Sequence, residues 1–134
     1  MPVLKHESMP IRSESDIVLA RQLARKWSAE LGFSLVDQTK IVTATSELAR
    51  NTLIHGGGGA VRLESLSEGA RKGLRLTFED QGPGIANIEL AMRDGYTTGN
   101  GLGLGLSGSK RLMSEFDLMS RVGEGTRVTV VKWK

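Results

Sequence analysis

Three groups of residues in this chain have the types and spacing to do chemistry. Thr43, Glu47, Asn51 and His55 recur every four residues, the repeat that sets side chains in one row along a helix. In such a row Glu47 can accept a proton or orient a nucleophile, and the amide oxygen of Asn51 suits Mg2+, a hard cation that takes oxygen ligands. One turn apart, both reach the same triphosphate. The row is equally what the solvated flank of an ordinary helix carries. Asp80 is followed by Gly82 and Gly84. Its carboxylate would accept the exocyclic amine of adenine and discriminate against guanine, whose carbonyl at that position offers no donor. The two glycines would let base and ribose approach the backbone. Asp and Gly after a strand are also the ordinary chemistry of a turn.

The third group is the run Gly99-Asn100-Gly101-Leu102-Gly103-Leu104-Gly105-Leu106-Ser107-Gly108, which leads into the basic segment Ser109-Lys110-Arg111-Leu112. A loop lined by backbone amides and few β-carbons lets a phosphate approach closely at the start of the next helix. Gly103, Gly105 and Gly108 have the dinucleotide spacing, and Glu124 stands at the right distance. Yet Tyr96-Thr97-Thr98-Gly99-Asn100 is no buried strand, which that fingerprint needs. Gly103 and Gly108 have the Walker spacing, but Lys110 falls one place late. His6 is isolated, and His55 reads as a helix cap or a surface residue. Neither points to a metal site, and no Ser, His and Asp arrangement points to acyl transfer.

The elements that must position these groups follow from periodicity. Residues 3–11 form an extended segment ending at Pro10. Ser13 and Asp16 open a helix whose seam is Ile17, Ala20, Ala24, Trp27 and Leu31, ending near Gly32. A second helix runs from Leu35 to His55, with Ile41, Ala44 and Leu48 toward the core, and Gly56 to Gly59 stop it. Val61 and Leu63, then Leu74, Leu76 and Phe78, alternate as the arms of a hairpin with Ser67–Gly73 as its turn. The same alternation puts Asp80 on the face opposite Glu79. A short helix covers Asn87 to Met92, and Leu102, Leu106, Ser109, Met113 and Phe116 predict a third main helix continuing from the glycine run. Leu118–Val122 and Thr126–Trp133 make a last hairpin turning at Gly123-Glu124-Gly125. Helices followed by hairpins, without strict alternation of strand and helix, predict an α/β fold: a two-layer sandwich with a mixed, mostly antiparallel sheet and helices on one face. The connection from Asp80 to Gly101 is long for a compact domain and is a candidate cover for a site.

The 134 residues are one domain's worth, 1–134, large enough to bury a two-layer core. Without cysteine there is neither a disulfide framework nor a zinc-thiolate site. No signal segment or span of about 20 apolar residues is visible, so the reading is cytoplasmic, with no membrane partner. The net charge of +3 is mild, spread along the chain and not interleaved with aromatics, which argues against nucleic acid.

In order, Glu47-Leu48-Ala49-Arg50-Asn51, Asp80-Gln81-Gly82-Pro83-Gly84 and Gly101-Leu102-Gly103-Leu104-Gly105-Leu106 resemble the three nucleotide boxes of the GHKL (gyrase, Hsp90, histidine kinase, MutL) ATPase superfamily, whose ATP-binding fold is the Bergerat fold. The segments Asp94-Gly95-Tyr96-Thr97-Thr98, Lys110–Phe116 and Gly125-Thr126-Arg127-Val128 narrow the resemblance to RsbT-type serine kinases. The resemblance implies a bacterial partner-switching kinase that binds Mg-ATP and phosphorylates serine or threonine on a STAS-domain antagonist. Released from that antagonist, it would activate a PP2C-type phosphatase and so link stress to sigma-factor control. It further implies that Glu47 is the general base, Asn51 the Mg2+ ligand and Asp80 the adenine acceptor. Gly82, Gly84, Gly101, Gly103 and Gly105 would shape pocket and lid, and Thr126 would support adenine. Two alternatives stand beside it: a non-catalytic ATP-dependent binding module, and an anti-sigma factor with the sigma factor as its partner.

Overall fold

Ser13 and Ser34 start the two long helices. Each hydroxyl accepts the backbone N–H three residues on, from Asp16 at 3.3 Å and from Asp37 at 3.2 Å, which satisfies one of the donors that a first helical turn leaves open. In this computed structural model, which describes residues 3–92 and 106–134, α1 spans Glu14–Glu30 and α2 Leu35–Ile54. Ile17, Ala20, Ala24 and Trp27 of α1 are buried as their spacing predicts, and so are Ile41, Ala44 and Leu48 of α2. The helices run antiparallel, pinned at one end by Arg50 of α2 against Glu14 of α1, 3.5 Å apart.

The strands are β1 Val3–Ile11, β2 Gly59–Glu68, β3 Arg71–Asp80, β4 Glu115–Arg121 and β5 Gly125–Trp133, with short helices α3 Ile88–Ala91 and α4 Leu106–Leu112 between β3 and β4. They form one sheet in the order β1-β2-β3-β5-β4. Every pairing is antiparallel, which corrects the expectation of a mixed sheet. The chain leaves β3, crosses by α3 and α4 to the edge as β4, and returns by a hairpin that slots β5 between β3 and β4. Val61, Leu63, Leu74, Leu76, Phe78 and Val130 are at most 2 % exposed and face α1 and α2, so the core lies between one sheet face and the helical layer. Strand alternation sends Arg62, Glu64 and Arg75 to the other face, where Arg75 Nε donates to Glu64 Oε1 at 2.8 Å.

Two further expectations are corrected. The Ser67–Gly73 turn contracts to Gly69-Ala70, because Glu68 pairs directly with Arg71. An ion pair of 2.7 Å between them, and the Arg71 guanidinium stacked 4.0 Å over Trp133, hold the strand ends in the ladder. The third helix stops at Leu112 and does not carry on to Phe116. Lys132 Nζ donates to the Leu112 carbonyl at 2.8 Å, and Ser114 N–H donates to Val131 O at 2.8 Å. The backbone is thereby drawn into the sheet, and Phe116 becomes a β4 residue opposite Val130.

Candidate nucleotide-binding site

α2 ends over the C-terminal end of β3, and there the helical layer and the sheet part to leave a cavity of about 410 Å3. Its apolar lining includes Leu48, Phe78, Ile85, Ala91, Leu106 and Val128, and its polar groups include Asn51, His55, Asp80 and Thr126. A largely apolar cleft of this size with a few convergent polar groups is the usual form of a small-ligand site.

Asp80 is the last residue of β3 and shares the covered face with Phe78. Its Oδ1 accepts the Gly82 N–H at 2.9 Å. Burial pushes its carboxyl above the usual carboxylate range, while the backbone N–H groups of Gly82 and Thr126, and then His55, pull it back down. The glycines around it serve protein packing directly. A β-carbon on Gly56 would overlap the Asp80 carboxyl group, and one on Gly82 would lie 2.7 Å from the Gly56 backbone. The end of α2, the Asp80 side chain and the turn after β3 therefore nest only because neither position carries a side chain. Gly84 has φ +77° and packs against the Arg121 carbonyl. The expectation that Gly82 and Gly84 open the backbone to base and ribose acquires a nearer cause: Gly82 lets the protein's own backbone close around Asp80, and Gly84 lets it close against Arg121.

The four-residue row on α2 is intact, and it divides. Asn51 and His55 line the cavity, whereas Glu47 is half-buried one turn earlier on the same helix edge and is not part of the wall. Thr126, opposite Asp80 in the β3–β5 ladder, lines the cavity beside it. Gly101, Gly103 and Gly105 lie outside the described residues, as does the Asp94–Thr98 segment. His55 takes the helix-cap place expected of it and has a second role besides. It is the C-cap of α2, its N–H donating to the Asn51 carbonyl at 3.0 Å, and the residue is half-buried. Its ring lines the cavity with Nε2 buried and unpartnered. Burial pushes its pKa down, and Asp80 opposes that shift. The signal was its place in the row with Asn51, and the burial came from packing.

These groups suit an adenine nucleotide. The half-buried Asp80 carboxylate offers a charged acceptor to an amine, and apolar walls suit a flat base. No cluster of three or more His, Cys, Asp or Glu able to hold a metal is found among the described residues. Asn51 carries a hard amide oxygen at the cavity wall, the kind of donor that Mg2+ takes, and that cation keeps several waters and seldom needs an all-protein cage.

The fold and site define a class. Residues 36–134 match the family described as histidine kinase-, DNA gyrase B- and HSP90-like ATPases, and the chain belongs to that family, with an ATP-binding domain. Within it, the chain is 52% identical over 123 residues to the serine/threonine-protein kinase RsbT of Bacillus subtilis, a match that covers 92% of each. It is 34% identical over 120 residues to an anti-sigma F factor of Anoxybacillus flavithermus, covering 84% of this chain and 81% of that one. The crystal structure of the RsbU and RsbW domains of a Mycobacterium tuberculosis protein has the same fold, with a TM-score of 0.65 at 23% identity, over 100% of this chain and 33% of that one.

Proposed function

We propose that this chain is an ATP-dependent protein-serine/threonine kinase of a bacterial partner-switching module, acting in the cytoplasm as one domain of residues 1–134. Its substrate is a STAS-domain antagonist, and, released from it, the kinase activates a PP2C-type phosphatase. The observation that carries the nucleotide part is the half-buried Asp80 carboxylate at the wall of an apolar cavity that Asn51 and Thr126 also line. The 52% identity to a serine/threonine-protein kinase supports the transfer reaction. No helix among the described residues is long and apolar enough to cross a membrane.

In this reading Asp80 accepts the adenine amine, with Thr126 beside it at the ring edge. Asn51 would hold Mg2+ through its amide oxygen, and that ion would supply neutralisation of the charge on the transferred phosphoryl group. Glu47, one turn along α2 and outside the apolar cavity, stands where a partner's hydroxyl can reach it. It takes the hydroxyl proton as that oxygen attacks the γ-phosphorus and ADP departs. Gly101, Gly103 and Gly105, outside the described residues, keep the role that the resemblance implies, shaping pocket and lid.

The test is incubation of the chain with labelled ATP and a STAS-domain protein, followed by phosphopeptide mapping. Label on one serine or threonine of the partner is the expected result. Tight partner binding without label would make the chain an ATP-dependent binding module instead. The 34% identity to an anti-sigma F factor favours one second reading, in which a sigma factor is the direct partner. Recovery of a sigma factor with the tagged chain would support that reading against phosphatase activation.

A further inference from the structure

Asp80, Thr126 and Ser120 form one polar row across three strands, since Thr126 pairs with Asp80 in the β3–β5 ladder and with Ser120 in the β4–β5 ladder. The row ends on a hydroxyl with an unusual load. Ser120 Oγ accepts the Ile85 N–H at 2.8 Å, lies 2.8 Å from Thr126 Oγ1 and lies 3.1 Å from the Gly125 carbonyl. Ile85 belongs to the cavity wall that follows Gly84, and Thr126 belongs to the facing polar wall. Ser120 does not line that cavity.

We propose that Ser120 is a positioning residue for the nucleotide base: it ties the Gly84-Ile85 wall to β4 and fixes the hydroxyl of Thr126 at the ring edge. The inference rests on the reading of this cavity as the ATP site. A hydroxyl has one proton and two lone pairs. With Ile85 N–H already donating to it, Ser120 gives its proton either to the Gly125 carbonyl or to Thr126. In the first case Thr126 donates to Ser120 and presents a lone pair to the cavity. In the second Thr126 turns its own proton inward. In both states the Thr126 oxygen is held in place, so the ligand meets a group whose rotor freedom was already spent in folding.

Ser120→Ala removes all three bonds and, from the net worth of one or two neutral hydrogen bonds, weakens ATP about threefold to thirtyfold. Because the base is remote from the transferred phosphoryl group, KM for ATP rises while kcat is unchanged, the mark of binding lost equally in ground and transition states. Ser120→Thr, which keeps the hydroxyl, restores the affinity. The decisive measurement is a double-mutant cycle on ATP affinity with Thr126→Ala: the pair is expected to lose less than the sum of the two single losses, since part of what Ser120 does passes through Thr126 and only the rest through the Ile85 wall. Unchanged affinity in Ser120→Ala, or strictly additive losses in the cycle, overturns the proposal. If Ser120→Ala fails to fold, Ser120→Cys keeps the size with a weak donor and acceptor and is read by the same cycle. A wild-type chain that binds no ATP would remove the underlying reading of the site. A wild type that binds ATP normally beside an indifferent Ser120→Ala removes this proposal alone.

Discussion

Replacing Asp80 by Asn separates the cost of the site from its use. In the free protein, burial raises the Asp80 pKa above its unfolded value. The sign follows: a group with a raised folded pKa contributes stability that is fully present below the ordinary carboxylate range and is lost as pH rises through the folded value. At neutral pH the ionised side chain is therefore a net burden on the free fold. Asn removes the charge and keeps an oxygen for the Gly82 N–H, now held at 2.9 Å. The free variant is expected to melt no lower than wild type at pH 7, and its stability should lose the part of the acid-side pH dependence that Asp80 supplies. Bound ATP reverses the sign. A hydrogen bond to a charged acceptor is worth about 1.5 to 3 kcal/mol, so ATP affinity falls about tenfold to 150-fold. The amide NH2 faces where a guanine carbonyl would lie, so the preference for ATP over GTP also narrows. Calorimetric titration with both nucleotides, beside thermal melts of the free protein between pH 4 and 8, measures all three quantities. An ATP affinity within about twofold of wild type refutes the assignment of Asp80. Affinity and stability that fall together would instead show that the carboxylate serves only to hold the turn.

Other perturbations test neighbouring parts of the site. Glu47→Gln, lying outside the cavity, should leave ATP affinity unchanged and slow phosphoryl transfer about 10²- to 10⁴-fold, read by labelled-ATP kinetics; unchanged transfer would remove Glu47 from the mechanism. Gly56→Ala drives a methyl group into the Asp80 carboxyl and should cost about 1 to 3 kcal/mol by urea unfolding, with ATP binding lost at the same time. On the bare sheet face, Glu64 is 7 % exposed and the hydrogen bond from Arg75 holds its pKa down. That stability is present above the ordinary glutamate range and is lost as pH falls through the depressed value. Arg75→Met should cost about 1.5 to 3 kcal/mol at pH 7 and flatten the acid limb of an unfolding titration, while ATP affinity stays as in wild type.

Residue types and short periods carried much of this molecule. The three- and four-residue spacing of Ile17 to Trp27 and of Ile41 to Leu48 marks both long helices and their buried stripes, and the alternation through Leu74, Leu76 and Phe78 places Asp80 on the covered face. Each is a local fact, because a helix or strand shows its period within a few residues. The row of Glu47, Asn51 and His55 was legible for the same reason, though the period says nothing of how far into a cleft each member reaches. His55 became a half-buried wall residue with its Nε2 inside, and Glu47 stayed outside.

What only the tertiary structure decided is every relation between residues that local period does not connect. The end of the third helix was set by Lys132 and Val131 capturing Leu112 and Ser114, which outweighed a helical spacing that would have carried Phe116 along. The need for glycine at 56 arises from Asp80, and that at 82 from Gly56. The join of Asp80 to Thr126 and Ser120 exists because β5 inserts between β3 and β4. By itself the sequence determined the helices, the strands and the residues able to meet a nucleotide, since propensity and hydrophobic period act over one or two turns. The fold determined which of them meet, since strand order and close backbone approach depend on the whole chain burying its apolar face at once.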